Sequence, residues 1–131
     1  MNASLFFESR ISPFLLILIG TGVIGIWLKD IFSGKFSGQG NFFKWVEGEN
    51  RLWLHIFAEF LTGILLILSG IAYLLSEAWA QQTALLGLGA LIYSAINSSG
   101  WVLHKKERFP YGIPMWISLL IAMLIAVNII I

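Results

Sequence analysis

Apolar residues run almost unbroken through four stretches of the chain, and polar residues gather in the gaps between them. The stretches cover about 11–32, 52–75, 78–103 and 111–131. Each supplies the roughly 20 residues that a helix needs to cross about 30 Å of hydrocarbon. None alternates with the period of two expected of a barrel strand, and all are too long for one. The pattern predicts an all-α fold: an integral membrane four-helix transmembrane bundle with antiparallel, up-down neighbours. Residues 1–131 then form a single transmembrane domain. Ser12 and Pro13 have the order of a helix cap followed by a proline at the first helical position. Pro110 and Pro114 punctuate the start of the fourth span. The first run is too long for a signal-peptide core and no small-residue cleavage motif follows it, so it reads as a retained helix.

Composition sharpens the class. The chain has 131 residues, 58% hydrophobic and 11% charged, with a mean hydropathy of +0.85. Soluble domains carry about 45–50% apolar and about 25% charged residues. Fifteen Asp, Glu, Lys and Arg side chains could not cover a water-facing surface of this size, which excludes a soluble enzyme and a disordered chain. A net charge of +1 offers no face for nucleic acid. With no cysteine, disulfides, thiolate metal sites and cysteine nucleophiles are excluded as well.

Charge sets an orientation. Lys29, Lys35, Lys44, Arg51, Lys105, Lys106 and Arg108 fall on one side of the four runs, and only Arg10 on the other. Seven against one is a strong positive-inside bias, so both termini are expected to be non-cytoplasmic. The expected location is a prokaryotic cell membrane, crossed several times. Trp27, Trp45, Trp53, Trp101 and Trp116 sit near the cytoplasmic boundary and Trp79 near the other, as an aromatic anchor belt does. The 33–50 loop begins with Gly34, Gly38 and Gly40 and continues Asn41-Phe42-Phe43-Lys44-Trp45. That composition suits a segment lying in the headgroup plane. Lys105, Lys106 and Arg108 suit contact with anionic lipid, although orientation alone explains them.

Candidate chemistry lies on the second and third spans. His55, Glu59, Thr62, Leu66, Ser69 and Tyr73 follow at steps of four and three, which places them on one helix face. Gln82, Leu86, Gly89, Tyr93, Asn97, Gly100 and His104 do the same on the next span. A tight turn near Glu77 and Ala78 makes the two spans antiparallel neighbours. Pairing residues about that centre sets Thr62 against Tyr93, Leu66 against Gly89, Glu59 beside Asn97 and His55 beside Gly100. The expected result is a polar seam. Glu59 would lie about 10 Å deep at 1.5 Å per residue, where an unpaired ionisable group costs at least a few kcal/mol. His55, Glu59, Tyr93 and Asn97 are therefore the candidate ligand- or proton-binding residues, with Arg51 and His104 at the pocket mouth.

Other chemistries fit less well. His55 and Glu59 have i, i+4 metal-ligand spacing and His104 is a conceivable third ligand, but one deep carboxylate falls short of a bundle metal site. As haem ligands, His55 and His104 would be offset by nearly a turn, even with Gly63 and Gly100 to admit a macrocycle. No metal and no cofactor is therefore expected. Gly20, Gly22 and Gly25 on the first span, and Ser118, Ala122 and Ala126 on the fourth, are small residues that permit close backbone approach. They are candidates for a homodimer contact. Neither a phosphate loop nor a hydrolytic triad is present. The sequence thus predicts a small multi-pass protein whose polar pocket takes a small polar ligand, ion or proton, as in a transporter or sensor. The rivals are an accessory or scaffold subunit whose seam only fixes packing, and a lipid-modifying enzyme using His55 and Glu59.

Overall fold

The computed structural model describes residues 11–32, 51–104 and 106–131. Among them are four long helices: α1 (Ile11–Phe32), α2 (Arg51–Leu74), α3 (Ala80–Leu103) and α4 (Phe109–Ile130). A single 3₁₀ turn, Lys106–Arg108, leads into α4. The chain is all-helical over these residues, as the run lengths predict. The 33–50 loop and Lys105 lie outside the described residues.

Three of the helices are long and apolar enough to cross a membrane, over Ser12–Lys29, Leu54–Leu74 and Lys106–Ile130. The chain is therefore a membrane protein by the length and composition of its helices. Four equivalent spans were expected, and α3 departs from that. It has the length, with 24 residues, or about 36 Å at 1.5 Å per residue. Its apolar character is diluted by Gln81, Gln82, Thr83, Ser94, Asn97, Ser98 and Ser99.

Extensive contacts run between consecutive helices: α1 with α2, α2 with α3, and α3 with α4. Small residues bring the first pair together. A Cβ on Gly20 would lie 2.6 Å from the carbonyl oxygen of Gly63, and one on Gly70 would lie 2.6 Å from that of Pro13. Only glycine allows backbones this close, which lets dispersion contacts act along the whole crossing. One apolar core then joins all four helices, with Leu16, Leu66, Leu88 and Ile125 among its buried side chains. On α4, Ala122 is buried in that core and Ala126 packs against it. Two of the three small residues of the α4 ridge therefore pack within the chain.

Chain ends and turns follow local rules. Pro13 sits in the first turn of α1 and Pro110 at the start of α4, where the absent N–H removes no helical bond. Consequently α4 begins two residues earlier than the proline punctuation suggested. Between α2 and α3, Ser76 takes a φ of 58°. The Glu77 N–H donates to the Ala72 carbonyl at 2.8 Å and the Ser76 N–H to that of Tyr73 at 3.1 Å. This is a Schellman closure, with serine at the left-handed position that glycine usually fills.

Candidate functional site

Glu59 lies on the face of α2 that points into the protein and is only 8% exposed. Residues at steps of four and three from it, Thr62, Leu66 and Ser69, are buried with it, and His55 and Tyr73 are half-buried. Phe57, Leu61, Ile64 and Leu68 on the other side are exposed, as suits contact with lipid. The polar face of α2 is therefore where the helical spacing puts it. Two of its hydroxyls stay local: Thr62 donates to the Ala58 carbonyl and Ser69 to that of Leu66, each at 2.8 Å. Those bonds satisfy the hydroxyls without crossing to another helix.

The Glu59 carboxylate, by contrast, is shared among three helices. The Ser94 hydroxyl donates to it from α3. From α1, the Trp27 side chain makes a hydrogen bond to it, and an indole can only donate. His55, one turn earlier on α2, places its Nε2 3.9 Å from Glu59 Oε1. That separation makes a charge neighbour when the imidazole is protonated; it is too long for a hydrogen bond. The His55 and Trp27 rings meet edge to face, with centroids 5.5 Å apart at 75°. The group thus combines one acceptor carboxylate, one obligate donor, one hydroxyl able to reverse its role, and one imidazole able to carry a second proton. Chemically it can hold a proton or a small cation, or orient a small polar molecule.

Residues 8–131 match the family described as domain of unknown function DUF8058. The chain belongs to the DUF8058 family. No curated protein and no solved structure matches it.

In this DUF8058 chain, two of the six expected site residues come together, His55 and Glu59. Tyr93 is 73% exposed and Asn97 is exposed too, so neither lines the carboxylate. His104 is exposed at the C-cap of α3. Arg51 opens α2, and its side chain lies outside the described residues. The register explains the difference. Glu59 meets Ser94 rather than Asn97, and Leu66 meets Gly87 rather than Gly89. Pairing centred on Glu77 and Ala78 runs up to three residues too far along α3, because the chain already reverses at Ser76. Three residues fall short of one 3.6-residue turn, so the error also rotates α3 by about 60°. What α3 turns inward is a row of small residues, Ala80, Ala84, Gly87 and Ala95, together with Leu88 and Leu91, in place of the polar stripe.

Ser94 and Trp27 are the site residues that sequence reasoning missed. Ser94 adjoins Tyr93 and fell just off the chosen stripe. Trp27 fits the anchor belt by its place in the sequence, yet its indole is half-buried against the site. A second tryptophan is likewise engaged internally: Trp116 Nε1 donates to Ser99 Oγ at 2.9 Å, tying α4 to α3. Arg108, grouped with the basic loop residues, is buried, while Lys106 is exposed. The space beside Gly63, considered for a macrocycle, is filled by Ile24 and Gly20 of α1. Among the described residues no three His, Asp or Glu side chains converge as a metal site.

Proposed function

We propose that the protein is a four-span membrane protein whose Glu59 site binds a proton, a small cation or a small polar molecule, in the manner of a small transporter or sensor. The observation that carries this reading is the buried Glu59 carboxylate shared by side chains of α1, α2 and α3. An ionisable residue inside a membrane segment is expensive, and functional sites are where that expense is met. Packing α3 between two helices of spanning character supports its lying in the bilayer with them. The charge bias supports both termini outside and a site nearer the cytoplasmic face of a prokaryotic cell membrane. Glu59 would be the titrating or cation-facing group and His55 its proton or charge partner. Trp27 and Ser94 form the wall in place of Asn97 and Tyr93. Arg51 and His104 would be the residues at the mouth.

A scaffold reading has one specific observation in its favour. The same contacts that surround Glu59 also tie three helices together, which is what a packing cluster does. The two readings separate in proteoliposomes carrying the full chain. Vesicles loaded with a pH-sensitive or sodium-sensitive dye report flux under an imposed gradient. Binding at Glu59 predicts that Glu59→Gln abolishes a flux shown by the parent, while the variant remains folded. Equal behaviour of parent and variant, with only thermal stability changed, would overturn proton or sodium transport through Glu59 and favour the scaffold.

A further inference from the structure

The polar stripe of α3 faces away from the rest of the chain. Gln82, Leu86, Gly89, Tyr93, Asn97 and Gly100 are all exposed. Tyr93 stands near the middle of the 24-residue helix. Among the described residues nothing hydrogen-bonds the Tyr93 hydroxyl or the Gln82 and Asn97 carboxamides. Yet α3 is held between α2 and α4 over most of its length, from Gln81 against Ile129 to Val102 against Gly112. Lipid offers no partner for a phenol or a carboxamide at that depth, and each unsatisfied group is costly there. The outward faces of α2 and α4 differ, presenting Phe57, Ile64, Ile117 and Leu120, which acyl chains solvate well.

We infer that this face of α3 docks against α3 of a second copy of the chain. The pairing rests on α3 lying in the bilayer, as proposed above. Two copies inserted the same way are related by a two-fold axis normal to the membrane. Their α3 helices then run parallel, and each stripe residue meets its own counterpart. The residues present suit that self-pairing. A carboxamide both donates and accepts, as does a phenol, so Asn97 and Tyr93 can each bond their symmetry mates. Nothing lies within 4 Å of where a Cβ on Gly89 or Gly100 would stand, so two backbones can approach closely. From Gln82 to Gly100 the stripe has no Asp, Glu, Lys or Arg, and no like charges oppose each other on the axis. The contact would give partners to Tyr93 and Asn97, which the described residues leave without a hydrogen bond.

The absence of native cysteine makes the test clean. Single variants Tyr93→Cys and Asn97→Cys, with Phe57→Cys and Leu120→Cys as controls, are oxidised with copper phenanthroline in proteoliposomes of the full chain. Docking through α3 predicts conversion to a dimer-sized band at positions 93 and 97 and none at 57 and 120. Asn97→Leu should weaken self-association by about 3- to 15-fold in detergent dilution, the loss expected for one polar contact between membrane helices. A lack of dimer at 93 and 97, or equal dimer at the controls, overturns the proposal. A membrane-impermeant maleimide separates the reasons for failure. Protection of the position 93 thiol without cross-linking defeats the dimer alone. Labelling of that thiol in sealed vesicles defeats both the dimer and the four-span reading of α3.

Discussion

Glu59 has three neighbours of different chemical kind, and their separate removal should have different effects. Ser94→Ala deletes a hydroxyl donor to a buried acceptor without adding bulk. The expected destabilisation is about 1–3 kcal/mol, the usual penalty for leaving a buried polar group short of a partner. Trp27→Phe keeps a ring against His55 and removes only the N–H, so it should cost less, about 0.5–1.5 kcal/mol. Unfolding in mixed dodecyl sulfate micelles measures both. Equal, near-zero effects would mean that neither residue supports the carboxylate. The burial of Glu59 and its nearness to His55 are readable from sequence, because an acid in an apolar run with an imidazole one turn away stands out. Ser94 was not readable in the same way. Serine is common in membrane helices, and choosing the right one requires the register of two helices to within one residue.

At the scale of elements, the α1–α2 crossing depends on backbone proximity at Gly20 and Gly63. Gly20→Ala would place its new methyl 2.6 Å from a carbonyl oxygen of α2, and backbone cannot yield as a side chain can. The helices must separate, at a cost of about 1–3 kcal/mol. Gly22→Ala and Gly25→Ala meet nothing within 4 Å and should be neutral or stabilise by up to about 1 kcal/mol through helix propensity. The contrast is measurable in the same micelles, and equal effects at all three positions would refute the crossing. Ser76→Gly relieves a left-handed serine and should stabilise the α2–α3 turn by about 0.5–1 kcal/mol. Helix existence and the buried face of α2 were legible because hydrophobic runs and i, i+4 spacing are local properties. The buried face of α3 is not legible in the same way, for a physical reason. In a membrane small residues mark the interface as strongly as polar ones do, and α3 has a stripe of each on different faces.

At the scale of the molecule, the described residues form four long helices in series, joined by one core, with three of spanning character and one more polar helix between two of them. The proposed orientation rests on charge, which is local to the loops. Glu77→Cys, in the α2–α3 turn, should react with an impermeant maleimide added outside intact cells. Lys106→Cys, before α4, should react only after permeabilisation, and the reverse pattern would invert the assigned topology. The claim on which the functional account depends is that the Glu59 carboxyl exchanges a proton or cation inside this helical frame. Infrared difference spectra of reconstituted protein, taken between two pH values or with and without sodium, observe that carboxyl directly. The account predicts a carboxyl band that changes in the parent and is absent from the Glu59→Gln difference spectrum. An identical difference spectrum from parent and variant would contradict it.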